Sequence, residues 1–152
     1  MQIVIAAVGK ARRDPVARLF DVYVARIKWS VVLKEVECRK ALPVDQLKER
    51  EGELLLSAVP PGATVVALDE SGDTLTSGEF ATRLRDWRDR AALPVVFLIG
   101  GAAGHGDAVR QRADLTLSLG RMTWPHLLVR GMLAEQLYRA QQILIGHPYH
   151  RE

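Results

Sequence analysis

Five short apolar runs alternate with segments of helical periodicity, and this alternation restricts the fold of the chain more than any other feature. The most apolar run, Val95–Ile99, leads directly into Gly100-Gly-Ala-Ala-Gly-His-Gly106. A run with no polar position has no face to offer water, so a strand made of it must be covered on both sides. Ile3–Val8, stopped by Gly9, reads in the same way, as does Ala63–Leu68, ending at Asp69-Glu-Ser-Gly72. Val-rich Ser30–Cys38 reads as a second strand and Leu115–Leu119 as a fifth. Between them, Asp14-Pro15 starts a helix: a capping residue followed by Pro at the first helical position. Val16, Leu19, Phe20, Tyr23, Val24 and Ile27 then recur at helical spacing. Pro43–Ala58 reads as a helix, and Thr76 with Glu79 forms a capping box for another through about Arg90. A short helix, Asp107 to about Arg112, and a long one, Pro125 to about Ile145, complete the pattern. Strands alternating with helices predict an α/β fold, a mostly parallel sheet with helices on both faces, in a single domain over residues 1–152.

The chain has 152 residues, 48% of them hydrophobic and 26% charged, enough for a packed core. Its net charge of +3 permits an acidic partner such as RNA. With 21 basic against 18 acidic residues, nucleic-acid binding would require the basic ones to be concentrated at one place. The single cysteine, Cys38, excludes an internal disulfide, fits a reducing compartment and reads as a core residue of the second strand. The opening Met1–Val8 lacks the basic segment of a signal peptide and no apolar stretch is long enough to span a membrane, so the expected location is the cytoplasm.

In a parallel α/β sheet, ligands sit where strands end and loops begin. That singles out the loops after Leu68, Ile99 and Leu119, which should open on one edge of the sheet. The Gly100–Gly106 loop lets backbone amides approach a ligand closely. It matches neither the dinucleotide fingerprint nor a phosphate loop, and a tight strand-to-helix turn would use the same residues. His105 within it reads as exposed. The last helix is apolar on more than one face, which predicts burial against the sheet on one side and a second subunit on the other. Glu135 and Arg139, at i and i+4, share a face. Beyond Gly146, the tail His147-Pro-Tyr-His-Arg-Glu152 crowds two His, a Tyr and an Arg where termini usually carry small polar residues. No Cys or carboxylate cluster accompanies these His, so phosphate contact or proton handling is expected of them and no metal site.

Six segments in order, with the opening Ala7-Val-Gly-Lys10, carry a family resemblance. They are Val65-Val-Ala-Leu-Asp69, Phe97-Leu-Ile-Gly-Gly101-x-x-Gly104, Leu117-Ser-Leu119, Thr123-x-Pro-His-x-Leu-x-Arg130, Glu135-Gln-Leu-Tyr-Arg139-Ala and His147-Pro-Tyr-His-Arg-Glu152. Together they resemble the ribosomal RNA large subunit methyltransferase H family of the SPOUT superfamily, along the whole chain and most densely from Val65 onward. The resemblance implies a SPOUT-type fold with a C-terminal trefoil knot, an exception to the rule that chains do not thread loops. It implies S-adenosyl-L-methionine as cofactor, held by Leu68, Gly101 and the run Gly120, Arg121, Met122, Thr123, Trp124 and Pro125. It also implies a homodimer with a composite active site, in which the tail of one subunit completes the site of the other. The implied reaction is methylation of N3 of a pseudouridine in a hairpin loop of 23S rRNA on the assembled ribosome; membrane and DNA are not expected partners.

The pseudouridine N3 is protonated and a poor nucleophile, so a site of this kind must take its proton and hold it in line with the methyl donor. His150 is a candidate base and Glu135 a rival. Arg151 or Arg139 can stabilise the developing anion or hold a phosphate, and Tyr149 offers a face for a base. Three departures from the family stand out: Ala102-Ala103 replaces a polar pair found in some members, and His105 and Trp124 stand where aliphatic residues are expected. The competing readings are a SPOUT enzyme acting on tRNA or another rRNA site, and a non-catalytic ribosome-binding module.

Overall fold

The computed structural model describes residues 1–92 and 94–151; Glu152, the last residue of the tail segment, lies outside them. The elements are β1 (Gln2–Val8), α1 (Ala17–Val24), β2 (Ser30–Val36), α2 (Val44–Ser57), β3 (Thr64–Thr74), α3 (Ser77–Asp89), β4 (Val95–Ile99), α4 (Asp107–Arg112), β5 (Leu115–Ser118) and α5 (His126–Leu144). The strands form one five-stranded sheet in the order β2-β1-β4-β3-β5, and every pairing is parallel.

Alternation along each strand sends successive side chains to opposite faces. Val66 and Leu68 of β3 join Phe80, Leu84, Leu133 and Leu137 beneath α1, α3 and α5, while Val65 and Ala67 join Leu55 and Val109 beneath α2 and α4. The two cores explain why β4 is buried at every position: Val95, Phe97 and Ile99 face one layer, Val96 and Leu98 the other. Gly131 sets the crossing of α5 over α1, since a Cβ there would lie 2.9 Å from the Cβ of Leu19.

The expected start of α3 holds, while that of α1, placed at Asp14-Pro15, shifts two residues along the chain. Thr76 Oγ1 accepts from the Glu79 amide (3.2 Å) and Glu79 Oε2 from the Thr76 amide (2.7 Å), a complete capping box. Asp14 Oδ1 accepts from the Val16 amide at 2.8 Å. The turn it opens is tight, with Ala17 bonded to the Asp14 carbonyl, so regular α1 begins only at Ala17.

Two expectations fail. Cys38 is not a core residue: β2 ends at Val36, and Cys38 lies beyond it, half-buried, with Sγ 3.8 Å from the Lys40 carbonyl. β2 is the sheet edge and only alternate positions are covered, so its continuation leaves the core. Nor does β3 stop at Asp69. It runs to Thr74 with a break in register, Leu68 and Asp73 both lying opposite Leu117. Gly72 allows this, because only a residue without Cβ fits against the β5 backbone. Among the described residues, no helix is long and apolar enough to cross a membrane.

Candidate functional site

The Leu68–Glu70 stretch of β3 and the carboxyl ends of β4 and β5 border a cleft of about 680 Å³. Its central wall is the loop after β4. Gly101 is pressed down on the neighbouring elements: a Cβ there would lie 3.0 Å from Val8 Cγ1 and 3.1 Å from Glu51 Oε2. The Gly101 carbonyl accepts from the Gly104 amide (3.0 Å), and Gly104 takes a left-handed conformation (φ 76°) to close this turn.

His105 is not exposed, as its place in a glycine loop suggested, but only 4% accessible, folded back beneath Gly100. Neither ring nitrogen has a hydrogen bond of good geometry. Burial holds its pKa below the usual 6.5, against the opposing pull of the Leu98 and Leu68 carbonyls and the Asp69 carboxylate. Protonation therefore disfavours the folded state, and stability should fall as pH drops through 6.5 toward the folded pKa. Thermal melts between pH 7.5 and 5.5 should show this loss reduced in His105→Gln; an identical slope in the variant would remove His105 as its source.

Asp69 sits at the cleft edge with both oxygens engaged. Oδ1 accepts from the Ser71 amide (2.9 Å) and hydroxyl (2.6 Å), and Oδ2 from Arg110 Nη2 (3.0 Å). Burial alone would raise its pKa; the Ser71 hydrogen bonds and the Arg110 charge more than offset that and hold it below 3.8. Behind the loop, Glu51 is buried with Oε1 unpartnered, and burial raises its pKa. Nothing in the sequence marks Glu51: within Lys48-Glu-Arg-Glu-Gly-Glu53 it looks like part of a solvated charge run.

The structure brings Leu68, Gly101, Gly120, Met122, Thr123, Trp124 and Pro125 together around this cleft, and leaves the exposed Arg121 off its lining. It adds Lys48, Asp69, Glu70, Arg110 and His126. Of its charged members, Arg110 and Asp69 are paired with each other, while Lys48 and Glu70 are in no salt bridge among the described residues; the rest of the wall includes the apolar Leu68, Ile99, Leu117, Leu119 and Val129.

A second constellation lies toward the other end of α5. Glu135 Oε1 accepts from Arg139 Nη2 (2.6 Å), Arg139 Nε (3.0 Å) and the Tyr149 hydroxyl (3.2 Å), while Oε2 accepts from Gln136 Nε2 (2.9 Å). The Tyr149 ring packs edge-on to Tyr138 at 4.7 Å, under the Arg139 guanidinium at 5.0 Å. Gly146 (φ 70°) turns the chain back over α5, so the tail lies along the helix. The hydrogen bond to Glu135 raises the Arg139 pKa; burial, then Glu135, raises that of Tyr149. His150 Nδ1 is buried without a partner, and Arg151 is exposed. Glu135 lines a second cavity, of about 570 Å³, that shares Leu117, Leu119 and Gly120 with the cleft. Tyr149, His150 and Arg151 line neither cavity.

A parallel sheet with this strand-end cleft matches a known class. Residues 1–150 match the family described as "Predicted SPOUT methyltransferase". A solved structure with the same fold, the SpoU methyltransferase AviRb from Streptomyces viridochromogenes in complex with the cofactor AdoMet, aligns with a TM-score of 0.51 at 14% identity, over 93% of this chain and 58% of its own. At full length, the chain is 62% identical to ribosomal RNA large subunit methyltransferase H of Paramagnetospirillum magneticum and 58% identical to that of Rhodospirillum centenum, covering 99% of both chains in each case. It therefore belongs to the ribosomal RNA large subunit methyltransferase H family of SPOUT methyltransferases.

Proposed function

We propose that this chain methylates N3 of a pseudouridine in a hairpin loop of 23S rRNA, on the assembled ribosome in the cytoplasm, as a homodimer whose two sites are each built from both subunits. The full-length similarity to large-subunit rRNA methyltransferases supports the reaction and substrate class. The observation that carries the composite site is the separation of the two constellations. The tail folds back to Glu135 at the middle of α5, about 14 Å along the helix from the cleft residue His126 at 1.5 Å per residue, and Tyr149, His150 and Arg151 do not line the cleft. A second copy laid against the first can bring its tail to the cleft. The partly covered Leu128 and Met132 of α5, beside the exposed Leu19 of α1, offer an apolar face for it. On this reading the whole chain is one SPOUT domain, and the segment after β4 threads the knot.

The cleft fits S-adenosyl-L-methionine. Its volume is in the range of small-molecule sites, its apolar wall suits an adenosyl group, and Lys48 and Glu70 on its lining offer one charge of each sign to a ligand carrying a carboxylate and cationic centres. Leu68, Gly101, Gly120, Met122, Thr123, Trp124 and Pro125 would hold it, with Arg121 at the rim. When bound, the cofactor supplies an activated methyl group on a sulfonium, so no metal is required.

The residues of the chain then do the proton work. Glu135 already accepts four hydrogen bonds and is a poor base. His150, with a buried and uncommitted Nδ1, is the better acceptor. His150 would take the N3 proton, leaving the N3 lone pair free to accept the methyl group that the cofactor would supply. Arg139, fixed by Glu135, and Arg151 hold the anionic substrate, and Tyr149 packs against a base. His150→Ala should lower methyl transfer by about 10²–10⁴-fold while leaving cofactor affinity in place. Mixing it with a cleft variant, Trp124→Glu, should restore transfer through hybrid dimers. Labelled transfer to unmethylated ribosomes, naked 23S rRNA and tRNA decides the substrate. Label on tRNA would overturn the ribosomal target, and full activity of His150→Ala would overturn the base.

A further inference from the structure

We infer that the β1–α1 loop, Gly9–Asp14, is a preformed contact for the RNA phosphate backbone beside the cleft, with Arg12 and Arg13 as the phosphate-binding side chains. The inference rests on the proposed RNA substrate and adds where its backbone is gripped. Lys10, Arg12 and Arg13 are all exposed, and among the described residues none of them is in a salt bridge. Some arginines elsewhere are neutralised by an adjacent acid, Arg85 by Asp86 and Arg88 by Asp89; others, such as Arg83 and Arg90, are in no salt bridge among the described residues, so the loop is distinguished by its fixed backbone and its place beside the cleft. The one acid within the loop, Asp14, is committed to the Val16 amide.

A merely solvated charge run would need no fixed backbone, yet this loop is clamped from below. The Arg130 guanidinium, with no exposed surface, donates to the Gly9 carbonyl (2.8 Å), the Val8 carbonyl (3.3 Å) and Glu35 Oε2 (2.7 Å). The same Glu35 oxygen accepts from the Ala11 amide at 2.7 Å. Arg12 is held at φ 48°, a left-handed conformation unfavourable for a side chain of its size. Such a strained, pinned backbone presents its cations without the ordering cost a mobile loop would incur on binding. The loop also lies beside the cleft, since a Cβ on Gly9 would be 3.3 Å from Nε2 of His126, a residue of the cleft lining. A nucleotide whose base enters the cleft would have its flanking phosphates near this loop.

The test compares the full-length chain with Arg12→Gln/Arg13→Gln, and with Arg85→Gln/Arg88→Gln on α3 as a control of equal charge loss. Binding to ribosomes is measured against salt concentration, together with KM, kcat and cofactor affinity. Each phosphate contact contributes about 0.7–0.9 to the slope of log affinity against log salt. The loop variant should lose about 1.5 of that slope and show a KM for ribosomes raised about tenfold or more. Its kcat, cofactor affinity and melting temperature should stay those of the unsubstituted chain, and the α3 control should change none of these. An unchanged slope in the loop variant, or the same loss in the control, overturns the loop contact. If the unsubstituted chain methylates tRNA and not ribosomes, the ribosomal reading fails while the loop contact is judged by the same slopes on tRNA. Binding with no salt dependence overturns both.

Discussion

A Gly72→Ala chain is expected to melt about 6–12 °C lower and to bind the cofactor more than tenfold more weakly. The new Cβ would fall 2.6 Å from both C and O of Thr116 and 2.9 Å from C of Leu117, all backbone atoms that no rotamer change can move aside. Gly72 lies within the register break between Leu68 and Asp73, where β3 slides closely along β5. Relief requires the strands to separate there. The pairings of Asp73 with Leu117 and Thr74 with Ser118 would then be lost, and Asp69, Glu70 and Leu117 at the cleft would shift with them. Overpacking of side chains costs about 1–3 kcal/mol, and a backbone overlap belongs at about 3 kcal/mol or above. Gly62→Ala is the control: Gly62 also has positive φ (76°), but nothing lies within 4 Å of its Cβ position. That variant should lose only the conformational part, about 1 kcal/mol, with cofactor affinity intact. Calorimetry and cofactor titration on both chains distinguish the two, and equal behaviour would show that contact with β5 is not what fixes Gly72.

The order of elements was legible because this fold places one apolar run per strand and one amphipathic segment per helix, each set by local periodicity. The run Gly120–Pro125 was placed at the cleft through the family resemblance, and all of it except Arg121 lines the cavity. What escaped the sequence depends on distant pairing. The extension of β3 through Asp69-Glu-Ser-Gly72 looks like a turn, since its polar residues suit one; only the β5 backbone alongside makes it a strand. Cys38 was assigned to the core by extending an alternation that β2, as an edge strand, does not continue. His105 and Glu51 are polar residues in polar-looking surroundings, buried only because the glycine loop packs down between β1, α2 and α4. The tail cluster is half legible: the i, i+4 spacing of Glu135 and Arg139 puts them on one face, where they pair, but the return of Tyr149 onto Glu135 needs the turn at Gly146.

Arg130→Met is expected to lower the melting temperature by about 10 °C and to weaken ribosome binding while sparing the cleft itself. Arg130 is the largest fully buried side chain, and its partners are the Glu35 carboxylate and two carbonyls at the end of β1. Met fills similar volume but donates nothing, so those acceptors lose their partner where water cannot fully replace it. Removing one member of a fully buried pair costs about 3–5 kcal/mol, and with the Glu35 side chain 30% exposed the low end of that range applies. The pH dependence identifies the cause. Burial tends to raise the Glu35 pKa, but the bonds from Arg130 and the Ala11 amide prevail and hold it below 4.5. A carboxyl with a depressed folded pKa contributes stability that is present above its unfolded value and lost as pH falls through the folded one. The gap in melting temperature between the two chains should therefore be full at pH 7 and narrow below about pH 4.5. A gap constant down to pH 3 would assign the loss to packing and not to the ion pair. Because Gly9 and Ala11 are both tied to this pair, the same substitution should release the basic loop and raise the KM for ribosomes at unchanged cofactor affinity. Melting loss without a change in ribosome KM would separate the clamp from the surface it holds.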